Sequence, residues 1–155
     1  MRAPLTTIAA DLAEASDLLV GRIERTMNAP STDPGDDIAR EASLYAASAL
    51  IWSVRRPGSA VGDDEGVELL VHWLAAFLPH YKNEPEVFFK AAERRAAQYI
   101  VLWEHAPDAA GLNAARFFSE VVDRAVTDEQ TAELAEVLNT ARNANDAFIQ
   151  AAFAP

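Results

Sequence analysis

Apolar residues recur at steps of three and four along nearly the whole chain, and no segment alternates with a period of two. The first spacing builds one face of an α-helix; the second is what a half-buried strand requires. The chain is therefore confined to helices. Alanine, which loses little side-chain entropy in a helix, supplies 32 of the 155 residues and reinforces the point. The expected fold is all-α: a single-domain antiparallel bundle of about six helices joined by short loops, with no β-sheet. A chain of this length buries enough surface to hold such a core without staples. None are available, since there is no cysteine, and the same absence removes thiolate metal and redox chemistry.

The spacing predicts helices over 6–27, 37–55, 64–78, 85–105, 109–126 and 128–153. In the first, Ile8, Leu12, Ala15, Leu19, Ile23 and Met27 form one stripe, with Thr6 or Thr7 as cap. Asn28 to Gly35 reads as a loop. The second helix opens near Asp36 or Asp37 and is stopped by Arg56-Pro57-Gly58. It carries Ile38, Leu44, Tyr45, Leu50, Ile51, Trp52 and Val54 on all sides, which marks it as the central helix. Asp63 or Asp64 starts the third, with Val67, Leu70, Val71, Leu74, Phe77 and Leu78 on its inner side, and Pro79 ends it. After the turn His80-Tyr81-Lys82-Asn83, Pro85 suits the first turn of the fourth helix, whose core stripe is Phe88, Ala92, Ala96, Tyr99 and Trp103. Asp108 is the expected cap of the fifth, with Leu112, Ala115, Phe118, Val122 and Ala125 inward. Thr127 and Gln130 have capping-box spacing at the start of the last.

Lys and Arg number 13 against 24 Asp and Glu, a formal net charge of −11. That excludes a nucleic-acid backbone binder working through a basic face and steers the chain towards a basic partner. Much of the acid stands at helix starts, as in Asp36-Asp37, Asp63-Asp64, Asp108 and Asp128-Glu129, where capping and the helix dipole already favour it. No apolar segment follows Arg2 before Asp11, Glu14 and Asp17 arrive, so no secretory signal is read. The longest apolar run, Leu69 to Leu78, is half the length a membrane helix needs. The expected location is cytoplasmic.

Catalytic motifs are sparse. No Glu-x-x-His of the di-iron bundles occurs. Glu65-x-x-Glu68, Glu133-x-x-Glu136 and Glu120-x-x-Asp123 match the carboxylate spacing of Mg²⁺-dependent helical hydrolases only loosely, as expected of so acidic a helical chain. Glu68 and His72 share a helix face that reads as solvated. His80 and Glu84 are four apart but straddled by Pro79 and Pro85, and His105 suits a helix C-terminus. Gly58, Gly62 and Gly66 follow no strand, so they form no phosphate cradle. No nucleophile elbow or P-loop is present. Neither a cofactor nor a metal is expected.

The candidate site is a set of polar residues on buried helices. Glu41, Tyr45, Ser48 and Trp52 make one stripe on the second helix, while Arg95 borders the stripe of Tyr99 and Trp103 on the fourth. A buried carboxylate needs a partner, for which Arg95 is the first choice and Arg94 or Arg40 the alternatives. This set reads either as a structural bridge or as a ligand-binding pocket lined by Tyr45, Trp52, Tyr99 and Trp103, with Glu41 and Arg95 orienting the ligand. Arg55-Arg56 and the loops around it read as connectors with an exposed basic pair.

Three functions are weighed. The first is a non-catalytic acidic interaction protein that binds another protein, in an adaptor, assembly or inhibitor role. The second is a small-molecule-binding or sensory bundle using the Tyr/Trp-lined interior. The third is a carboxylate-rich metal-dependent hydrolase, which needs at least three of Glu65, Glu68, His72, Glu120 and Asp123 to converge. Phe148, Ile149 and Phe153 crowd the end of the last helix; they dock on the chain's own core or form the seam of a homodimer.

Overall fold

A computed structural model of the chain describes residues 2–28, 37–77 and 84–155. Among these are six α-helices and no strand: α1 Leu5–Thr26, α2 Asp37–Arg55, α3 Asp63–Phe77, α4 Pro85–His105, α5 Ala110–Val121 and α6 Asp128–Phe153. The helices pack against one another as an all-α bundle. The loop expected after Asn28, the turn His80–Asn83 and the end of the third helix at Leu78-Pro79 lie outside the described residues.

α2 is the central helix. Every residue from Glu41 to Ile51 is buried, and α2 packs against α1, α3, α4 and α6. Its alanines, Ala39, Ala42, Ala46, Ala47 and Ala49, let those neighbours approach. Its serines are satisfied locally: Ser43 and Ser48 each donate to the carbonyl four residues back, both at 2.7 Å. The α4 stripe is buried as expected, at Phe88, Ala92, Ala96, Tyr99 and Trp103. One apolar core joins all six helices.

Glycine marks two tight crossings. A Cβ at Gly66 on α3 would run into Val54 Cγ1 on α2, and one at Gly111 on α5 would lie 2.8 Å from the Ala135 carbonyl oxygen on α6. Gly66 is therefore a packing residue of the α2–α3 crossing.

Several helix ends differ from expectation. Pro4 precedes α1 and neither Thr6 nor Thr7 caps it; both fall inside the helix, whose first bonds run from the Thr7 and Ile8 N–H groups to the Pro4 carbonyl. Asp108 does not cap α5. It sits in a 3₁₀ turn, Pro107–Ala109, that feeds directly into the helix. α5 ends at Val121 rather than near 126. Asp123 takes a left-handed conformation (φ +53°), the Arg124 N–H donates to the Ser119 carbonyl, and the Asp123 N–H donates to that of Glu120. Those are the two bonds of a Schellman cap, with aspartate where glycine is usual. At α6 the capping box forms as expected, with Thr127 Oγ1 accepting from the Gln130 N–H at 3.0 Å and Gln130 Oε1 from the Thr127 N–H at 2.9 Å.

Apolar faces also shift. Leu112 is 36% exposed and Phe148 40%, while Ile149 and Phe153 are buried. The end of α6 thus docks on the chain's own core through two of its three large apolar residues. No helix among the described residues is long and apolar enough to cross a membrane.

Candidate functional site

The six residues expected to form a site do come together, from three turns of α2 and three of α4. Tyr99 donates to Glu41 Oε2 at 2.8 Å, and Arg95 Nε lies 3.2 Å from Glu41 Oε1. Arg95 is thus the partner of the buried carboxylate. That Nε is itself buried and out of line for a hydrogen bond, so the contact is an ion pair by distance only. Tyr45 meets Tyr99 edge-on at 4.9 Å and Trp103 at 5.7 Å, and Trp52 meets Trp103 at 5.8 Å. These arrangements suit the aromatic quadrupole. The Tyr45 hydroxyl donates to the Leu138 carbonyl at 2.8 Å.

Burial governs the chemistry here. It pushes the Glu41 carboxyl above its usual value, against the opposing pull of the Tyr99 hydroxyl, Arg95 and Arg40. Burial, then the Glu41 charge, pushes the Tyr99 hydroxyl well above its ordinary range. The Tyr45 hydroxyl rises as well. Tyr45 and Tyr99 are fully buried and Trp103 nearly so. A ligand there would have to displace side chains already packed and hydrogen-bonded. Two features of the cluster come from helices that the expected set leaves out. Phe117 of α5 meets Tyr99 edge-on, and Arg142 of α6 lies 5.3 Å from the Trp52 ring and 5.2 Å from that of Trp103.

A second polar cluster went unread in the sequence. Asp146 of α6 accepts from Ser53 at 2.6 Å, from Arg56 Nε at 3.1 Å and Nη2 at 3.2 Å, and from Gln150 at 3.1 Å. Gln150 also donates to the Ser53 carbonyl and accepts from the Ala60 N–H, which clasps the loop after α2 onto α6. Arg56 is therefore half-buried and engaged, not one of an exposed basic pair, while Arg55 reaches Glu93 of α4 at 3.1 Å. Burial pushes the Asp146 carboxyl up, but the bonds from Arg56, Ser53 and Gln150 outweigh it and hold the group below its usual range.

Among the described residues, no three His, Asp or Glu side chains gather to hold a metal ion. Glu65 instead pairs with Arg2, and Glu68, Glu120 and Asp123 are exposed. The convergence that a metal-dependent hydrolase needs is not formed by these residues.

The outer surface offers a different feature. Trp73 of α3 donates its indole N–H to Ser16 Oγ on α1 at 3.2 Å, and Ser16 donates on to the Leu12 carbonyl at 2.8 Å. Leu69, Leu70 and Phe77 are buried alongside Trp73. This sets the rotation of α3, and Val67 and Val71, expected inward, are left 58% and 57% exposed. Across from them α4 starts at Pro85. Val71, Leu74 and Ala75 of α3, with Pro85 and Phe89 of α4, line a groove of about 510 Å³ rimmed by Glu86, Lys90 and Glu93. Trp73 and Phe88, 6.4 Å apart, join the two helices below it. The acidic first turn of α3, Asp63, Asp64 and Glu65, lies on the same helix.

No family model matches the chain, and neither a curated protein nor a solved structure does.

Proposed function

We propose that the protein is a non-catalytic interaction protein whose α3–α4 groove takes an apolar helix face from a basic partner. The observation that carries this reading is Val71, more than half exposed, which lines a groove with Leu74, Ala75 and Phe89, the equally exposed Val67 lying one turn before it on α3. Contiguous exposed apolar surface of this kind marks interaction sites. A groove between two helices receives an amphipathic helix through anchors spaced three and four apart. Burying the exposed part of one such valine, a little over half of it, is worth about 1–1.5 kcal/mol. The chain's overall −11 favours a cationic partner; at the groove itself Glu86 stands beside Lys90, and Glu93 is already paired with Arg55. Those charges act on the rate and specificity of encounter, while the apolar anchors supply affinity.

A helical peptide of leucine and lysine, amphipathic in pattern and fluorescently labelled, tests the reading by anisotropy. Saturable binding is expected, weakened about tenfold or more by Val71→Asp and unchanged by Leu112→Asp on α5. A leucine–glutamate peptide should not bind. Equal affinity of the wild type and Val71→Asp, or no saturation, sinks the proposal.

A further inference from the structure

α1 carries a second unpartnered face, on residues distinct from those of the groove. Its inner side, with Ile8, Leu12, Leu19 and Ile23, is buried. Its outer side bears Asp11, Glu14, Leu18, Arg22 and Arg25, all exposed. Leu18, at 66%, is the most open large apolar side chain among the described residues. Measured from Leu18, the four charges stand at −7, −4, +4 and +7. With 3.6 residues per turn, all five lie within about 40° of one line along the helix.

The charge order reverses across Leu18, with two carboxylates before it and two guanidiniums after it. Turned end to end, such a row is its own complement. A two-fold axis through Leu18 sets Arg22 over Glu14 and Arg25 over Asp11 of a second copy, with Leu18 against Leu18. Beside Leu18 is a hollow of about 420 Å³, lined by Ala15, Leu19, Arg22, Arg25 and Ala141 of α6, with room for an entering leucine.

Within one chain the charges of the row do not pair with one another, although Arg22 and Arg25 also line a pocket with Glu133 and Glu136 of α6. Like charges sit three residues apart, where they repel mildly, and the nearest opposite charges of the row are separated by roughly 12 Å along the axis. The helix dipole accounts for Arg25, in the last turn. It does not account for Asp11 and Glu14, because its influence fades beyond the first turn.

We propose that α1 is the seam of a two-fold homodimer, the Asp11-to-Arg25 row of one copy running antiparallel over that of the other. This is an isologous contact, the commonest kind in soluble oligomers. It stands independently of the groove, which shares no residue with it.

Sedimentation equilibrium of the whole chain tests it. The wild type should show a monomer–dimer equilibrium that Leu18→Asp weakens about tenfold or more. Arg22→Glu with Arg25→Glu makes the row wholly acidic, and Asp11→Arg with Glu14→Arg makes it wholly basic. Each variant should be monomeric where the wild type dimerises, with helix content by circular dichroism unchanged. Their equimolar mixture should form a one-to-one heterodimer, since mixing restores opposite charges on both sides of the axis. A wild type that stays monomeric at millimolar concentration, charge-reversed variants that still dimerise, or a mixture that remains monomeric overturns the proposal.

Discussion

Glu41 and Asp146 each hold an arginine across a seam between helices, yet their carboxyls shift in opposite directions. Glu41 joins α2 to α4 with its side chain 3% exposed, whereas Asp146 joins α6 to the end of α2 with its side chain 19% exposed. Glu41 accepts one hydrogen bond, from Tyr99, and sees Arg95 out of line. Asp146 accepts from Ser53, Arg56 and Gln150, with both Arg56 donors engaged. An arginine alongside does not decide the sign. What decides it is whether enough aligned donors replace the water lost on burial.

The largest effect should come from leaving the deeper carboxylate without its cation. Arg95→Met is expected to lower stability by about 3 kcal/mol near neutral pH, the lower end for breaking a buried pair. The loss should shrink in acid, as Glu41 takes up a proton. Urea denaturation at several pH values measures it, and a loss independent of pH would mean that Glu41 is not ionised beside Arg95.

Asp146→Asn should cost about 1–2 kcal/mol at neutral pH, because charge-assisted bonds at a partly exposed site are replaced by neutral ones. The native carboxyl is held below 3.8. Its contribution is therefore present above that value and lost as pH falls through the lower folded one. The difference between variant and wild type should vanish in the same window.

The smallest change at neutral pH, within about 1 kcal/mol, is expected for Glu41→Gln, which keeps an acceptor for Tyr99 and removes a desolvated charge. Its signature is the slope. The folded value of Glu41 lies above 4.5, so native Glu41 favours the fold fully below 4.5, and that stability fades as pH rises through the folded value. Glu41→Gln should flatten this part of the profile, while Asp146→Asn should leave it untouched. If both variants alter the same window, the contrast between the two pairs fails.

Which parts of this were legible in the sequence follows from the range of the interactions. The α4 stripe and the enclosure of α2 were readable because both come from the period of a single helix. The Glu41–Arg95 pair was readable because a carboxylate on a helix apolar on all sides demands a cation, and α4 carried one beside an aromatic stripe. The rotation of α3 was not, because it depends on Trp73 finding Ser16, 57 residues away. Periodicity alone treats Val67 and Val71 as equivalent to Leu70 and Leu74. The end of α5 was missed because the cap signal is glycine and the chain uses Asp123. The Asp146 cluster was missed because Ser53 and Gln150 look like ordinary helix polars until α2 and α6 are set side by side.

The bonds from Tyr45 to Leu138 and from Ser53 to Asp146 each span 93 residues. During translation α2 emerges long before α6, so the hydroxyls of Tyr45 and Ser53 lack their α6 partners while the intervening helices are made. At about 5–20 residues per second that interval lasts roughly five to twenty seconds. The most enclosed helix of the bundle is thus among the last to be sealed, and the nascent chain must keep it from competing contacts until α6 arrives.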